Sequence, residues 1–214
     1  MRKEIIDSVL KEKLIVIVRA MPEEKLIAFA EAVYAGGIRL LELTFSATGA
    51  WSDEDTAKRI GALVKQFEGR MLIGAGTVLN EKQVELVKNA GGKFIISPNT
   101  NPAVIRKTRE LGLVSIPGAL TPTEAQVAVE AGADFVKLFP ASTMGPAYIK
   151  AISAPLSHIK FLATGGVSEK NLADFLQAGA VGAGVGGNMT KKELIDASNW
   201  DEITRLAKAY TDQL

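Results

Sequence analysis

The chain has 214 residues, of which 47% are hydrophobic and 23% charged, with a formal net charge of +1. That balance suits one globular domain with a sizeable core, residues 1–214, and the near-neutral charge, with no basic stripe interleaved with aromatics, argues against nucleic acid as a partner but not against a small anionic ligand. With no cysteine, disulfides, thiolate catalysis and Cys-ligated metals are excluded.

The chain opens Met1-Arg2-Lys3-Glu4, a polar, helix-like segment without the apolar run and cleavage signature of a secretory leader. Nowhere do about 18 apolar residues run uninterrupted, so no transmembrane helix is expected and the protein reads as cytoplasmic. Leu14–Val18 is the first short apolar run. Pro22-Glu23-Glu24-Lys25 then opens a helix through Leu26, Phe29, Ala30 and Val33 to Gly36-Gly37; proline at the start and glycine at the stop suit helix ends. Apolar runs follow at 38–43 and 71–75, before Asn80-Glu81-Lys82-Gln83 opens a helix that stops at Gly91-Gly92. Two more runs, 93–96 and 113–116, precede a helix from Thr121-Pro122-Thr123-Glu124 to Gly132. After the runs at 134–138 and 159–162, Ser168-Glu169-Lys170-Asn171 opens a helix ending at Gly179, and 181–185 is the last run. Residues 199–214 read as a terminal helix with Ile203, Leu206 and Ala207 on its apolar face.

Ala-Gly-Gly or Ala-Gly-Ala recurs at Ala35, Ala90, Ala131 and Ala178, each time before the next apolar run, so the repeat unit is strand then helix. The runs are short, and their near-continuous apolar character suits strands buried on both faces. Eight parallel strands with crossover helices close most naturally into a (β/α)8 TIM barrel, here with an extra N-terminal helix. An open doubly wound sheet is the rival arrangement.

In such barrels the chemistry sits at the C-terminal ends of the strands. Lys137 lies in Phe135-Val136-Lys137-Leu138-Phe139-Pro140, on the same strand face as Phe135 and Phe139. If that face points inward, burial lowers the lysine pKa and leaves a neutral amine able to form a Schiff base with a ketone. The alternative is a lysine that snorkels to solvent or closes an ion pair. Glu42, set among leucines in Leu40-Leu41-Glu42-Leu43, is a candidate proton shuttle for such an imine or a structural partner of Lys137 or Arg19. Arg19 ends the first run and can grip a carboxylate, or simply face solvent. Thr164-Gly165-Gly166-Val167 and Gly184-Val185-Gly186-Gly187-Asn188 follow the last two runs, where barrels of this kind bind phosphate. The G-x-G-x-x-G match at Gly182, Gly184 and Gly187 lacks a dinucleotide-binding context, and His158, the only histidine, falls at the wrong end of its strand for catalysis. No pattern of His or carboxylates suggests a metal.

Glu42-Leu43-Thr44, Gly74-Ala75-Gly76-Thr77-Val78, Ser97-Pro98, Pro117-Gly118, Val136-Lys137-Leu138-Phe139-Pro140 and Thr164-Gly165-Gly166-Val167, in order along nearly the whole chain, resemble the bacterial KDPG/KHG aldolases. The resemblance implies a metal-independent class I aldolase without a cofactor, usually a homotrimer. Its members cleave 2-keto-3-deoxy-6-phosphogluconate to pyruvate and glyceraldehyde 3-phosphate, or 4-hydroxy-2-oxoglutarate to pyruvate and glyoxylate. It implies Lys137 as the Schiff-base lysine and Glu42 as the shuttle, Arg19 and Thr77 facing the pyruvyl carboxylate, and Pro98 and Phe139 lining the pyruvate pocket. Gly165, Gly166 and Gly186, with Thr164 and Gly187 beside them, would bind phosphate. Two positions depart from the family pattern: Ser46 stands where many members carry arginine, and Asn188 where many carry serine. A phosphate-binding isomerase or transferase that needs no imine, and a non-catalytic phosphosugar-binding protein, are the competing functions. Trp51, within 47–55, has no assigned place.

Overall fold

The computed structural model describes residues 2–46 and 48–214. Its elements are α1 (Arg2–Glu12), β1 (Leu14–Val18), α2 (Glu23–Ala35), β2 (Leu40–Thr44), α3 (Asp53–Gln66), β3 (Leu72–Gly76), α4 (Glu81–Asn89), β4 (Phe94–Ile96), α5 (Pro102–Glu110), β5 (Val114–Ile116), β6 (Gly118–Ala119), α6 (Pro122–Ala131), β7 (Val136–Leu138), α7 (Ala141–Ser153), β8 (Phe161–Thr164), α8 (Leu172–Gln177), β9 (Gly182–Val185), α9 (Lys192–Asp196) and α10 (Trp200–Thr211). The strands pair in parallel in the order β5-β4-β3-β2-β1-β9-β8-β7-β6. The expected (β/α)8 barrel is therefore present, with α1 ahead of the first strand.

One stave differs from the expected eight continuous strands. The fifth run is split at Pro117: β5 pairs with β4, whereas β6 pairs with β7. Proline has no N–H to give to a ladder, so the strand breaks there and each half serves one neighbour. The two halves follow one another in the chain and close the ring. The N–H groups of Asp134 and Phe135 donate to the Ser115 carbonyl, and that of Lys137 to the Pro117 carbonyl.

Strand alternation sorts the core into two clusters. Ile15, Leu40, Phe94, Ile96, Val114, Ile116, Phe135 and Leu162 fill the barrel, and Ile5 and Val9 of α1 pack onto them from one end. The intervening residues, among them Val16, Leu41, Leu43, Val136, Leu138, Phe161 and Ala163, face outward against the helices. An Arg2–Asp134 ion pair fastens α1 to the chain entering β7.

Local signals set most helix ends. Asn80 caps α4, accepting from the Gln83 N–H at 3.0 Å, and Thr121 with Glu124 forms a reciprocal capping box on α6. The fourth helix starts later than Ser168: α8 begins at Leu172. The Asn171 side chain turns back, accepting from the Ser168 N–H at 2.7 Å and donating to the Gly166 carbonyl at 3.1 Å, and this holds 168–171 as a turn. The terminal helix is confirmed as α10, and Tyr210 joins Ile203 and Ala207 on its buried face, with Leu206 only partly covered. A β-carbon at Gly36 would lie 2.4 Å from that of Ala207, so α10 packs on the end of α2 at a distance only glycine permits. No described helix is long and apolar enough to cross a membrane.

Candidate active site

Phe135 is part of the cluster filling the barrel, which puts Lys137, two residues on, on the inward face. Its side chain is 6% exposed. Glu42 alternates with Leu40 in the same way on β2 and is 1% exposed. Three staves separate β2 from β7 in either direction round the ring, so the two side chains approach from opposite walls, above the apolar filling. The Lys137 Nζ stands 4.9 Å from the centre of the Phe139 ring, an aromatic face that tolerates a cation without hydrating it.

Burial governs both ionisations. Desolvation pushes the Glu42 carboxyl above its ordinary value, against the opposing charges of Lys137 and Arg19. Desolvation lowers the Lys137 amine, the Glu42 charge opposes this, and the Arg19 charge reinforces it. Burial thereby shifts both groups toward their neutral forms. The Glu42 Oε2 is buried without a hydrogen-bond partner, which marks a carboxyl left available rather than one closed into an ion pair.

Glycines make the room. A β-carbon at Gly76 would lie 1.5 Å from Glu42 Oε1, and one at Gly74 would lie 2.2 Å from the Phe94 ring. On the far side, Gly184 leaves space for the Thr164 hydroxyl, 2.7 Å from where its β-carbon would be. A β-carbon at Gly182 would lie 2.3 Å from the Lys13 carbonyl, so the first glycine of the G-x-G-x-x-G match serves strand packing.

A cavity of about 400 Å³ runs from Lys137 and Phe139 past Arg19 to Thr164, Gly165, Gly166, Ser168, Gly186, Gly187 and Asn188. Gly165 and Gly166 have φ of 92° and 74°, a backbone turn that L-residues rarely adopt. A smaller chamber of about 140 Å³ lies on the other side of Arg19, walled by Thr44, Phe45, Ser46, Thr48, Trp51 and Thr77. Arg19, exposed at the end of β1, borders both.

Most residues singled out from the sequence therefore converge on one mouth. Lys137, Phe139, Thr164, Gly165, Gly166, Gly186 and Gly187 line the larger cavity, and Thr77 the smaller. Pro98 stands exposed where β4 ends, its carbonyl 2.4 Å from the β-carbon position of Gly118 and outside the walls of both cavities. Ser46 and Trp51 line the smaller chamber, which gives the unplaced 47–55 segment a role; Ala47 itself lies outside the described residues. His158 is exposed, 3.2 Å from the Gln126 amide oxygen.

Sequence reasoning missed Arg59. It is a buried arginine on α3 with its guanidinium 4.8 Å from the Trp51 ring centre and Nη2 donating to the Met21 carbonyl. It thus ties the connection carrying Arg19 to the one carrying Trp51. Nothing local marks it: it looks like any charge on an amphipathic helix.

The chain as a whole resembles known proteins. Residues 5–206 match the model of the KDPG and KHG aldolase family. The 2-dehydro-3-deoxy-6-phosphogalactonate aldolase of Escherichia coli (strain K12) is 36% identical over 203 residues, 94% of this chain and 96% of that protein. The 2-dehydro-3-deoxy-phosphogluconate aldolase of Haemophilus influenzae is 30% identical, covering 98% of this chain and 96% of its own. A solved KDPG aldolase of Legionella pneumophila, with pyruvate captured as a covalent carbinolamine, superposes with a TM-score of 0.85 at 30% identity over 96% of this chain and 97% of that one. The match of sequence and fold runs along nearly the whole chain, and the chain belongs to the KDPG and KHG aldolase family.

Proposed function

We propose that residues 1–214 act as one barrel domain, a class I aldolase cleaving a 2-keto-3-deoxy-6-phospho sugar acid to pyruvate and glyceraldehyde 3-phosphate. The observation that carries this is the desolvated Lys137 amine opposite Glu42, at one end of a cavity whose other end is built from Gly165, Gly166, Gly186 and Gly187. A phosphorylated acid gives the glycine turns an anion to bind, which 4-hydroxy-2-oxoglutarate, having no phosphate, does not. The names of the relatives, phosphogalactonate and phosphogluconate aldolases, point the same way.

In this reading Arg19 and the Thr77 hydroxyl hold the C1 carboxylate, and the neutral Lys137 Nζ attacks C2. Glu42, as the neutral acid, gives its proton to the carbinolamine hydroxyl, which leaves as water, and an iminium remains on Nζ. The Glu42 carboxylate then takes the proton of the C4 hydroxyl. The C3–C4 bond breaks, C4 leaves as the aldehyde, and the bonding pair stays with C3 to form the C2=C3 bond of an enamine while the iminium π pair returns to Nζ. Glu42 returns the proton to C3, and hydrolysis releases pyruvate and the free amine. Phe139 covers Nζ and keeps the amine dry.

Pyruvate with borohydride leaves a reduced adduct on the Lys137 peptide in this scheme, and Lys137→Arg abolishes turnover, since a guanidinium forms no imine. Folded protein that yields no adduct at that peptide refutes the mechanism. The homotrimer and cytoplasmic location implied by the resemblance belong to the same proposal. Sedimentation equilibrium tests the first, and cell fractionation the second.

A further inference from the structure

Two of the residues that line the larger cavity are charged, Arg19 and Lys137. Lys137 belongs to β7, whereas Arg19 follows β1, the strand paired with β9. The rest of the polar lining is neutral: the hydroxyls of Thr164, Ser168 and Thr190, the Asn188 amide and the backbone of the two glycine turns. The fixed charge bound to this cradle is negative. The Asn188 amide Nδ2, whose residue lines the cavity, donates to the Glu169 carboxylate at 2.8 Å. Asn188 therefore commits that amide to Glu169, a half-buried carboxylate directly behind a residue of the cavity wall.

A buried tyrosine stands beside the pair. Tyr210 of α10 is fully buried with its hydroxyl 3.4 Å from the Val167 carbonyl. Burial, with the Glu169 charge adding to it, pushes that phenol up to about 12, so it stays a neutral buttress. Arg205, the cation of α10 that feels Glu169, is committed to Glu202 through bonds of 2.7 and 2.6 Å. Lys170, the next residue, is exposed.

We propose that Glu169, held against the phosphate cradle by Asn188, is a specificity-determining residue. Its carboxylate weakens the hold on a dianionic phosphomonoester, and so brings phosphorylated and unphosphorylated 2-keto-3-deoxy acids closer in kcat/KM than a neutral cradle would. The ligand's identity rests on the aldolase reading; the charge argument does not.

Glu169→Gln isolates the effect, because the glutamine oxygen still accepts from Asn188 and only the charge is lost. Two measurements on the full-length protein test it: the Kd of glycerol 3-phosphate by calorimetry, and the ratio of kcat/KM for the phosphorylated acid to that for its unphosphorylated analogue. In Glu169→Gln at low salt, the phosphomonoester Kd tightens and the ratio rises, each by about three- to tenfold. Near 1 M salt, where the screening length falls to about 3 Å, the gain disappears. Asn188→Ala, which frees the carboxylate, tightens phosphomonoester binding in the wild-type background and changes it much less beside Glu169→Gln, as coupled neighbours do. An unchanged Kd with an unchanged ratio overturns the proposal and leaves the aldolase reading standing. A tightened Kd in a protein that cleaves neither acid supports the proposal and refutes the aldolase reading.

Discussion

The carboxyl of Glu42 occupies the space where a side chain at Gly76 would begin: a β-carbon there would lie 1.5 Å from Oε1. Thr44, not Glu42, is the register partner of Gly76, so the carboxyl leans toward the open end of the barrel across the next residue of β3 that faces inward. Gly76→Ala must therefore expel the carboxyl from its position. We expect kcat to fall by at least about a hundredfold, the low end for loss of a general acid–base. Overpacking should also cost about 1–3 kcal/mol of stability. Steady-state kinetics and urea unfolding of this one variant measure both.

Stability should carry the imprint of Glu42 in its pH dependence. Its folded carboxyl titrates above the ordinary 4.5. Between 4.5 and the folded value, the native protein holds a proton that the unfolded chain has lost, and stability falls as pH rises through that window. Glu42→Gln removes this slope. Urea unfolding from about pH 4 to pH 8 should show the two proteins alike at the acid end and the variant progressively the more stable above it. Parallel profiles would contradict the placement of Glu42.

Arg59 should matter through the loops it joins. Arg59→Met keeps the buried volume but loses the bond to the Met21 carbonyl and the stack on Trp51. A charged hydrogen bond and a partly buried cation–π contact together predict a loss of about 2 kcal/mol. Because the Met21 connection also carries Arg19, KM for the keto acid should rise more than kcat falls. Chemical unfolding and initial rates distinguish this from a purely structural effect, which would spare KM.

Gly166 tests the phosphate end. Its φ of 74° costs an L-residue about 1–2 kcal/mol, and an added β-carbon would meet the Ser142 hydroxyl at 2.1 Å. Ser142 is exposed and can rotate aside, so backbone strain is the larger part. Gly166→Ala should raise KM for the phosphorylated acid several-fold and affect the unphosphorylated one less, as read from paired saturation curves.

Much of this was legible in the chain. The runs at 14–18, 71–75 and 181–185 fall within one residue of β1, β3 and β9, since strands buried on both faces must be apolar throughout. Lys137 and Glu42 stood out for the same reason: a charge inside an apolar run is rarely idle. The split at Pro117 was less visible, because whether a proline bends or breaks a stave depends on which neighbour each half pairs with. The helix after Thr164 was placed early because Ser168 looks like a cap, while the competing bond from Asn171 belongs to the folded turn. Trp51 and Arg59 were invisible, since their meeting joins the loop after β2 to the middle of α3 and to a carbonyl after β1.

The sequence by itself determined the alternation of strand and helix, the strand that carries the lysine, and the glycine turns at the far end, because periodicity and backbone permission are local properties. The tertiary structure decided which face of β7 points inward, that Glu42 stands opposite Lys137, and that Asn188 turns to Glu169 rather than to the ligand. Those depend on how eight staves close and on what each side chain then meets across the barrel. Burial, and with it the shifted ionisation of Lys137 and Glu42, exists only once the ring is shut.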